Sequence, residues 1–129
     1  NTKFQDVEIR RLARMLLKSG CAYLCSWGKD SDRVHTLTDL EAIELEVSLL
    51  NAELLMTTSH EDEPLSEALW FAFNSAWPDD QCFDECRSTL LLVIGNHDWG
   101  IECKEALKDL RGFNRRVLES DSDKNSTQE

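Results

Sequence analysis

Long hydrophobic runs are missing from this chain of 129 residues. No apolar stretch approaches the ~20 residues that a membrane-spanning helix requires. A basic and then apolar signal peptide is not visible at the N-terminus either. These absences predict a cytoplasmic protein that makes no contact with membranes.

Glycine-rich motifs that bind phosphates are also missing, because the chain has only five glycines and they are scattered. Gly95 stands alone where a dinucleotide-binding fingerprint needs three glycines. The Gly-x-Ser-x-Gly turn of a serine hydrolase does not occur. Residues 25–27 (CSW) occupy the place where a receiver domain would carry paired acids. The sequence therefore contains no diagnostic catalytic motif, which favours a protein that is not an enzyme.

Cysteine usage does not suit a disulfide framework, because the count of five is odd. Cys82 and Cys86 are spaced so that both could lie on one face of a helix. No second Cys or His pair completes the tetrahedral set that a zinc site needs. We expect ordinary packing rather than a structural metal at this pair.

The whole chain has a net charge of −11, and basic residues are scarce in its middle part. Residues 21–98 carry three Lys or Arg against sixteen Asp or Glu, whereas residues 1–20 carry five basic residues against two acids. An acidic middle repels phosphate backbones, so nucleic-acid binding is not expected. It suits a basic protein partner or a cation. Acidity that only keeps a small domain soluble is an equally good explanation.

Three short apolar runs, at residues 21–27, 53–58 and 88–95, have the length and composition of buried strands. Helical periodicity separates and flanks them. The order α-β-α-β-α-β-α predicts an α/β fold, in which a small three-stranded, mainly parallel sheet has helices on both faces. We expect one domain over residues 1–120 and a flexible polar tail over residues 121–129.

The predicted helices cover residues 4–18, 38–50 and 64–77. A last helix is predicted to carry one apolar stripe formed by Cys103, Ala106, Leu107, Leu110, Phe113 and Val117. Thr38 and Glu41 have the spacing of a capping box, which predicts a helix start at Thr38. The helix at 64–77 is apolar on nearly all sides. That pattern indicates deep burial or a partner on its far side.

The three strand ends point to one candidate site, because parallel strands place their carboxyl ends at the same edge of a sheet. Polar and aromatic side chains follow each predicted strand. The candidate ligand-binding residues are Trp27, Asp30 and Asp32 after the first strand, His60, Asp62 and Glu63 after the second, and Asn96, His97, Asp98 and Trp99 after the third.

Two histidines in this set allow several roles. His60 and His97 could hold a divalent metal together with Asp98 or Asp62, because imidazole and carboxylate suit Zn, Mn or Fe. The same histidines could form an acid–base pair. A purely structural role is the third possibility, with Asn96 or Asp98 capping the last helix. The spacing of these residues does not choose among the three roles, so neither a cofactor nor a catalytic residue is assigned.

Four segments of the chain resemble a family of small bacterial proteins known only as a domain of unknown function. They are residues 21–28 (CAYLCSWG), 56–71 (MTTSHEDEPLSEALWF), 74–79 (NSAWPD) and 95–99 (GNHDW). This resemblance implies a bacterial or phage setting and no particular activity. Residues 23–34 (YLCSWGKDSDRV) are also similar to the first strand and loop of TIR-type domains, which are adaptors or cleave nicotinamide dinucleotides. The helix that carries the catalytic glutamate of those domains has no counterpart here.

The acidic middle, the apolar helix at 64–77 and the missing catalytic spacing together predict a non-enzymatic protein-binding or regulatory module of the bacterial cytoplasm. Its partner would be another protein or a second copy of the chain. One specific form is an immunity protein that neutralises a basic toxin. The alternative is a small enzyme or ligand-binding domain that uses the strand-exit loops with a metal ion or a nucleotide.

Overall fold

The computed structural model describes residues 5–45, 55–86 and 88–126, and these ranges contain five helices and two strands. In chain order they are α1 (Asp6–Lys18), β1 (Tyr23–Trp27), α2 (Ser31–Leu45), β2 (Met56–His60), α3 (Leu65–Asn74), α4 (His97–Lys108) and α5 (Leu110–Ser126). None of these helices is long and apolar enough to cross a membrane.

β1 and β2 pair in parallel along their whole length and form a two-stranded sheet. Because side chains alternate between the faces of a strand, each face meets a different helix. On one face, Thr57 Oγ1 donates to Asp39 Oδ1 of α2 over 2.8 Å. On the other face, the rings of Tyr23 and His60 both contact Phe71 of α3. α2 and α3 therefore lie on opposite faces of the sheet.

The predicted third strand at residues 88–95 is wrong. The described sheet has two strands, and no backbone N–H or C=O of residues 88–95 makes a hydrogen bond within the described part of the chain. Leu91 packs against the core, whereas Leu90 is 70% exposed. An apolar run reports a preference for burial, but it does not report whether a neighbouring strand edge accepts its hydrogen bonds. The described residues therefore form a mixed α/β fold with two strands, not a three-stranded α/β sheet.

α2 begins earlier than the helix predicted at 38–50. Its first turn follows Gly28, whose positive φ of 108° turns the chain away from β1 and whose carbonyl accepts from Ser31 N over 3.1 Å. Thr38 lies inside the helix with its hydroxyl buried and without a hydrogen-bond partner among the described residues. The predicted capping box at Thr38 is therefore wrong, and residues 46–50 lie outside the described ranges.

Ion pairs hold α1 against α2. Arg10 Nε donates to Glu41 Oε1 over 2.6 Å, and an Arg14 guanidinium nitrogen lies 2.9 Å from Glu41 Oε2. The Glu41 side chain is only 4% exposed, while the neighbouring Glu44 takes one further contact from each arginine. Burial raises the pKa of Glu41, but the hydrogen bonds and charges of both arginines outweigh it and hold this pKa below its ordinary value.

α3, α4 and α5 enclose the larger apolar core. Its buried members are Leu69, Cys103, Ala106, Phe113 and Val117. Four residues of the predicted apolar stripe are thus buried, whereas Leu107 and Leu110 are exposed, and the stripe belongs to two helices that meet at Asp109. The Asp109 carboxylate accepts from Gly112 N over 3.0 Å and so caps α5. α5 continues to Ser126, into the predicted tail, and residues 127–129 lie outside the described ranges.

Candidate functional site

A depression of ≈ 380 Å³ lies at the carboxyl ends of β1 and β2, where the sequence predicted the ligand site. It is lined by Asp32, Ser59, His60, Glu61, Asp62 and Glu63. Four of the ten predicted residues, Asp32, His60, Asp62 and Glu63, are therefore brought together. Parallel pairing explains this, because it brings the exits of both strands to one edge of the sheet.

Ser59 links the two sides of the depression, since its hydroxyl donates to Asp32 Oδ1 over 2.5 Å. This bond, and then a hydrogen bond from Glu61, hold the pKa of Asp32 below its ordinary value. The hydrogen bond with Asp32, followed by the charge of Asp32, raises the pKa of Glu61. The two carboxyl groups thus compete for one proton, and in the fully ionised state they would attract a cation.

His60 is held on both sides and belongs to the end of β2 rather than to a loop. Its Nδ1 lies 2.6 Å from Glu63 Oε1, and its Nε2 lies 2.9 Å from Thr58 Oγ1. The ring is 6% exposed and packs against Phe71, with the centroids 4.7 Å apart. Because both ring nitrogens already have partners, this geometry is that of a buried structural histidine.

Trp27 and Trp99 connect the end of β1 to the start of α4. Trp27 Nε1 donates to Glu63 O over 2.7 Å, and its ring meets that of Trp99 edge to face. Asn96 Oδ1 accepts from Trp99 N over 3.1 Å, so Asn96 is the N-cap of α4. These three predicted site residues lie beside the depression without lining it, and each has a structural partner.

The remaining candidates lie apart from the depression's lining. Asp30 pairs with Arg33 at 3.2 Å, and His97 and Asp98 are exposed in the first turn of α4. Among the described residues, no group of three or more His, Cys, Asp or Glu side chains is placed to hold a metal ion. The set formed by His60, His97 and Asp98 is therefore not assembled.

The cysteines occupy packed positions. All five carry free thiols. Burial raises the pKa of Cys21, Cys25, Cys82 and Cys103, which makes these thiols poor nucleophiles at neutral pH. The Cys86 thiol lies 3.9 Å from the carbonyl oxygen of Gly20, just before β1.

The segment between Cys86 and α4 is the part of the molecule that sequence reasoning misplaced. We call residues 90–94 (LLLVI) the apolar segment. Its Leu90, Leu92, Val93 and Ile94 side chains are all exposed. The contact of Cys86 with Gly20 and that of Trp99 with Trp27 place the two ends of this stretch near the two ends of β1. The apolar run in the sequence predicts a buried strand, but the same run is also compatible with an exposed binding segment.

A second cavity, of ≈ 390 Å³, lies between the end of α3 and the residues that follow it, up to Thr89. Its lining is Ala72, Phe73, Asn74, Ala76, Trp77, Pro78, Phe83, Cys86 and Thr89. Five of these residues belong to the stretch 64–77, whose excess of apolar residues indicates deep burial or a partner. That pattern does not by itself predict a cavity.

One family model matches this chain. It is described as Domain of unknown function (DUF7684), and it covers residues 1–110. No curated protein and no solved structure matches the chain.

Proposed function

The chain therefore belongs to the DUF7684 family, a domain of unknown function, and we propose that it is a non-enzymatic protein-binding module for a basic partner. The observation that carries this proposal is the apolar segment, in which Leu90 is 70% and Leu92 is 49% exposed. Contiguous exposed apolar side chains on a small protein mark interaction surfaces.

The backbone of the apolar segment supports the same proposal. Its amides and carbonyls make no hydrogen bond within the described part of the chain. Unpaired backbone amides and carbonyls can pair with another chain that adds as a strand. Apolar side chains supply the burial, and the backbone supplies directional hydrogen bonds.

Charge favours a basic partner over a second copy. The net charge of the chain is −11, so two copies repel one another, whereas a basic protein is attracted. Asp79, Asp80, Asp84 and Glu85 precede the apolar segment in the sequence, and Asp98 and Glu102 follow it. An acidic border around an apolar strip would steer a positively charged partner onto it.

A bacterial origin and a cytoplasmic location are also part of the proposal. The resemblance to small bacterial proteins supports a bacterial origin, and five free thiols suit the reducing cytoplasm. Neutralisation of a basic toxin is one form that this binding would take. A toxin gene next to the gene for this protein would support that form.

Site-specific photo-cross-linking in cells tests the proposal. A photoreactive amino acid replaces Leu92 in one variant and Leu118 in the other. Leu118 is a matched control, because it is 54% exposed on α5, against 49% for Leu92. We expect a basic protein to be captured from position 92 and not from position 118. The substitution Leu90→Ser, which replaces an exposed apolar side chain by a polar one, should reduce that capture.

The proposal fails if position 92 captures no more protein than position 118. Capture of a second copy alone would replace the basic partner by self-association and contradict the charge argument. Light scattering of the purified protein at several salt concentrations gives its molecular mass, and so shows whether it self-associates.

A further inference from the structure

The cavity at the end of α3, which is lined by residues up to Thr89, has two aromatic rings at its rim. Trp77 is 60% and Phe83 is 42% exposed, and their ring centroids lie 5.6 Å apart at an interplanar angle of 31°. Large aromatic side chains that remain this exposed keep apolar surface in water. Such rings beside a cavity resemble the anchor pockets at the centre of protein interfaces.

The turn that builds one wall of this cavity is acidic. Asp80 and Glu85 are exposed, and residues 78–89 contain four acids against one basic residue, Arg87. Neither carboxylate takes part in a described hydrogen bond or ion pair. A cationic side chain next to the cavity could therefore pair with either carboxylate without breaking a described contact.

The cavity also adjoins the proposed binding segment along the chain. Thr89 lines the cavity and directly precedes Leu90, the first residue of the apolar segment. An extended chain lying on the apolar segment would therefore reach the cavity and the acidic turn together.

We propose that this cavity receives one large apolar side chain of the partner, and that the residues on either side of it in the partner are Lys or Arg. This inference rests on the proposed function and specifies the chemistry of its partner. The aromatic rim would bury the apolar side chain, while Asp80 and Glu85 would select basic neighbours by charge.

Short synthetic peptides test the pocket with the full chain. The probes are Lys-Lys-Trp-Lys-Lys, Lys-Lys-Ser-Lys-Lys, which lacks the apolar side chain, and Glu-Glu-Trp-Glu-Glu, which reverses the charge. All have blocked ends. Backbone and indole NMR signals of the protein report where each probe binds. We expect only the first probe to bind measurably, and to shift the Trp77 indole and the signals of Phe73 and Phe83.

Two pairs of charge substitutions separate local recognition from general attraction. Asp80→Asn with Glu85→Gln should weaken binding of Lys-Lys-Trp-Lys-Lys about fivefold. Glu119→Gln with Asp121→Asn removes the same charge from exposed positions on α5, and it should leave the affinity nearly unchanged. Trp77→Ser should abolish the shifts at Phe73 while the circular dichroism spectrum stays the same.

The inference is overturned if the first probe binds no better than the other two, if its shifts lie away from the cavity, or if the two pairs of substitutions weaken it equally. None of those results touches the proposed function, because cross-linking from Leu92 tests that separately. If position 92 captures no protein but the peptide binds specifically, the proposed function is wrong and the pocket inference stands.

Discussion

The indole rings of Trp27 and Trp99 meet edge to face, with centroids 4.9 Å apart and planes at 82°. This contact joins the end of β1 to the first turn of α4, across a stretch of chain that forms no strand. Through this contact, residues 96–99 reach the edge of the sheet, although the strand that was predicted before them does not form. The Trp pair is therefore a structural link between the sheet and the helical part of the molecule.

A double-mutant cycle should detect this link. Trp27→Leu and Trp99→Leu should each lower the free energy of unfolding, and their coupling energy should be about 1 kcal/mol, as for other aromatic pairs. Urea unfolding of the four proteins measures it. A cycle between Trp77→Leu and Trp99→Leu serves as the control, since Trp77 contacts Phe83 instead. Equal coupling in both cycles would contradict the assigned contact.

Glu41→Gln should destabilise the protein by about 2 kcal/mol at pH 7, because it leaves Arg10 and Arg14 without their buried carboxylate. The pKa of Glu41 is held below its ordinary value of 4.5. Its contribution is therefore complete above that pH and is lost as the pH falls through the lowered folded-state pKa. Urea unfolding at several pH values should show the difference between wild type and variant shrinking on acidification.

Glu44→Gln is the matched control for that experiment. Glu44 contacts the same two arginines, but its side chain is 52% exposed, so its removal should cost less than about 0.5 kcal/mol. A difference between wild type and Glu41→Gln that stays constant down to acidic pH would contradict the role assigned to this carboxylate.

His60→Ala should lower the free energy of unfolding by about 3 kcal/mol, because it removes a buried ring and leaves Thr58 and Glu63 without their partner. His97→Ala should change it by less than about 0.5 kcal/mol, since His97 is exposed. Thermal and urea unfolding measure both. Wild-type stability of His60→Ala, combined with loss of cellular function, would instead indicate a catalytic or ligand-binding histidine.

Asp32→Asn should bring the pKa of Glu61 down toward its ordinary value, because Asp32 supplies both the leading hydrogen bond and the leading charge that raise it. Asp62→Asn should move this pKa less, since the charge of Asp62 is its smallest cause. A carbon-detected NMR titration of the side-chain carboxyl groups measures each value. Equal shifts in the two variants would show that general negative charge, not the Asp32 contact, controls Glu61.

Local sequence patterns predicted most of the regular elements. The periodicity of Ile9, Ala13 and neighbouring residues predicted α1, and those two side chains are indeed buried. The apolar run ending at Trp27 predicted β1, and Pro64 marked the start of α3. These features depend on residues close in sequence, so they are visible without knowledge of the tertiary structure.

The start of α2, the place of the apolar segment and the full membership of the candidate site were not predicted. The start of α2 depends on Gly28 and Ser31 rather than on Thr38, whose capping-box spacing competes with a helix already under way. The place of the apolar segment depends on whether a strand edge accepts it, which composition cannot report. The same limit applies to the candidate site, where parallel pairing unites Asp32 with the residues after β2 but leaves His97 outside.

Amide hydrogen exchange in the apolar segment tests the central claim most directly. Followed by NMR, the amides of residues 90–94 should exchange nearly as fast as in an unfolded chain when the protein is free, since they make no described hydrogen bond. They should become protected when the partner captured from position 92 is added, while the amides of β1 are protected in both states. Protection of residues 90–94 in the free protein, or unchanged rapid exchange in the complex, would contradict a binding role for this segment.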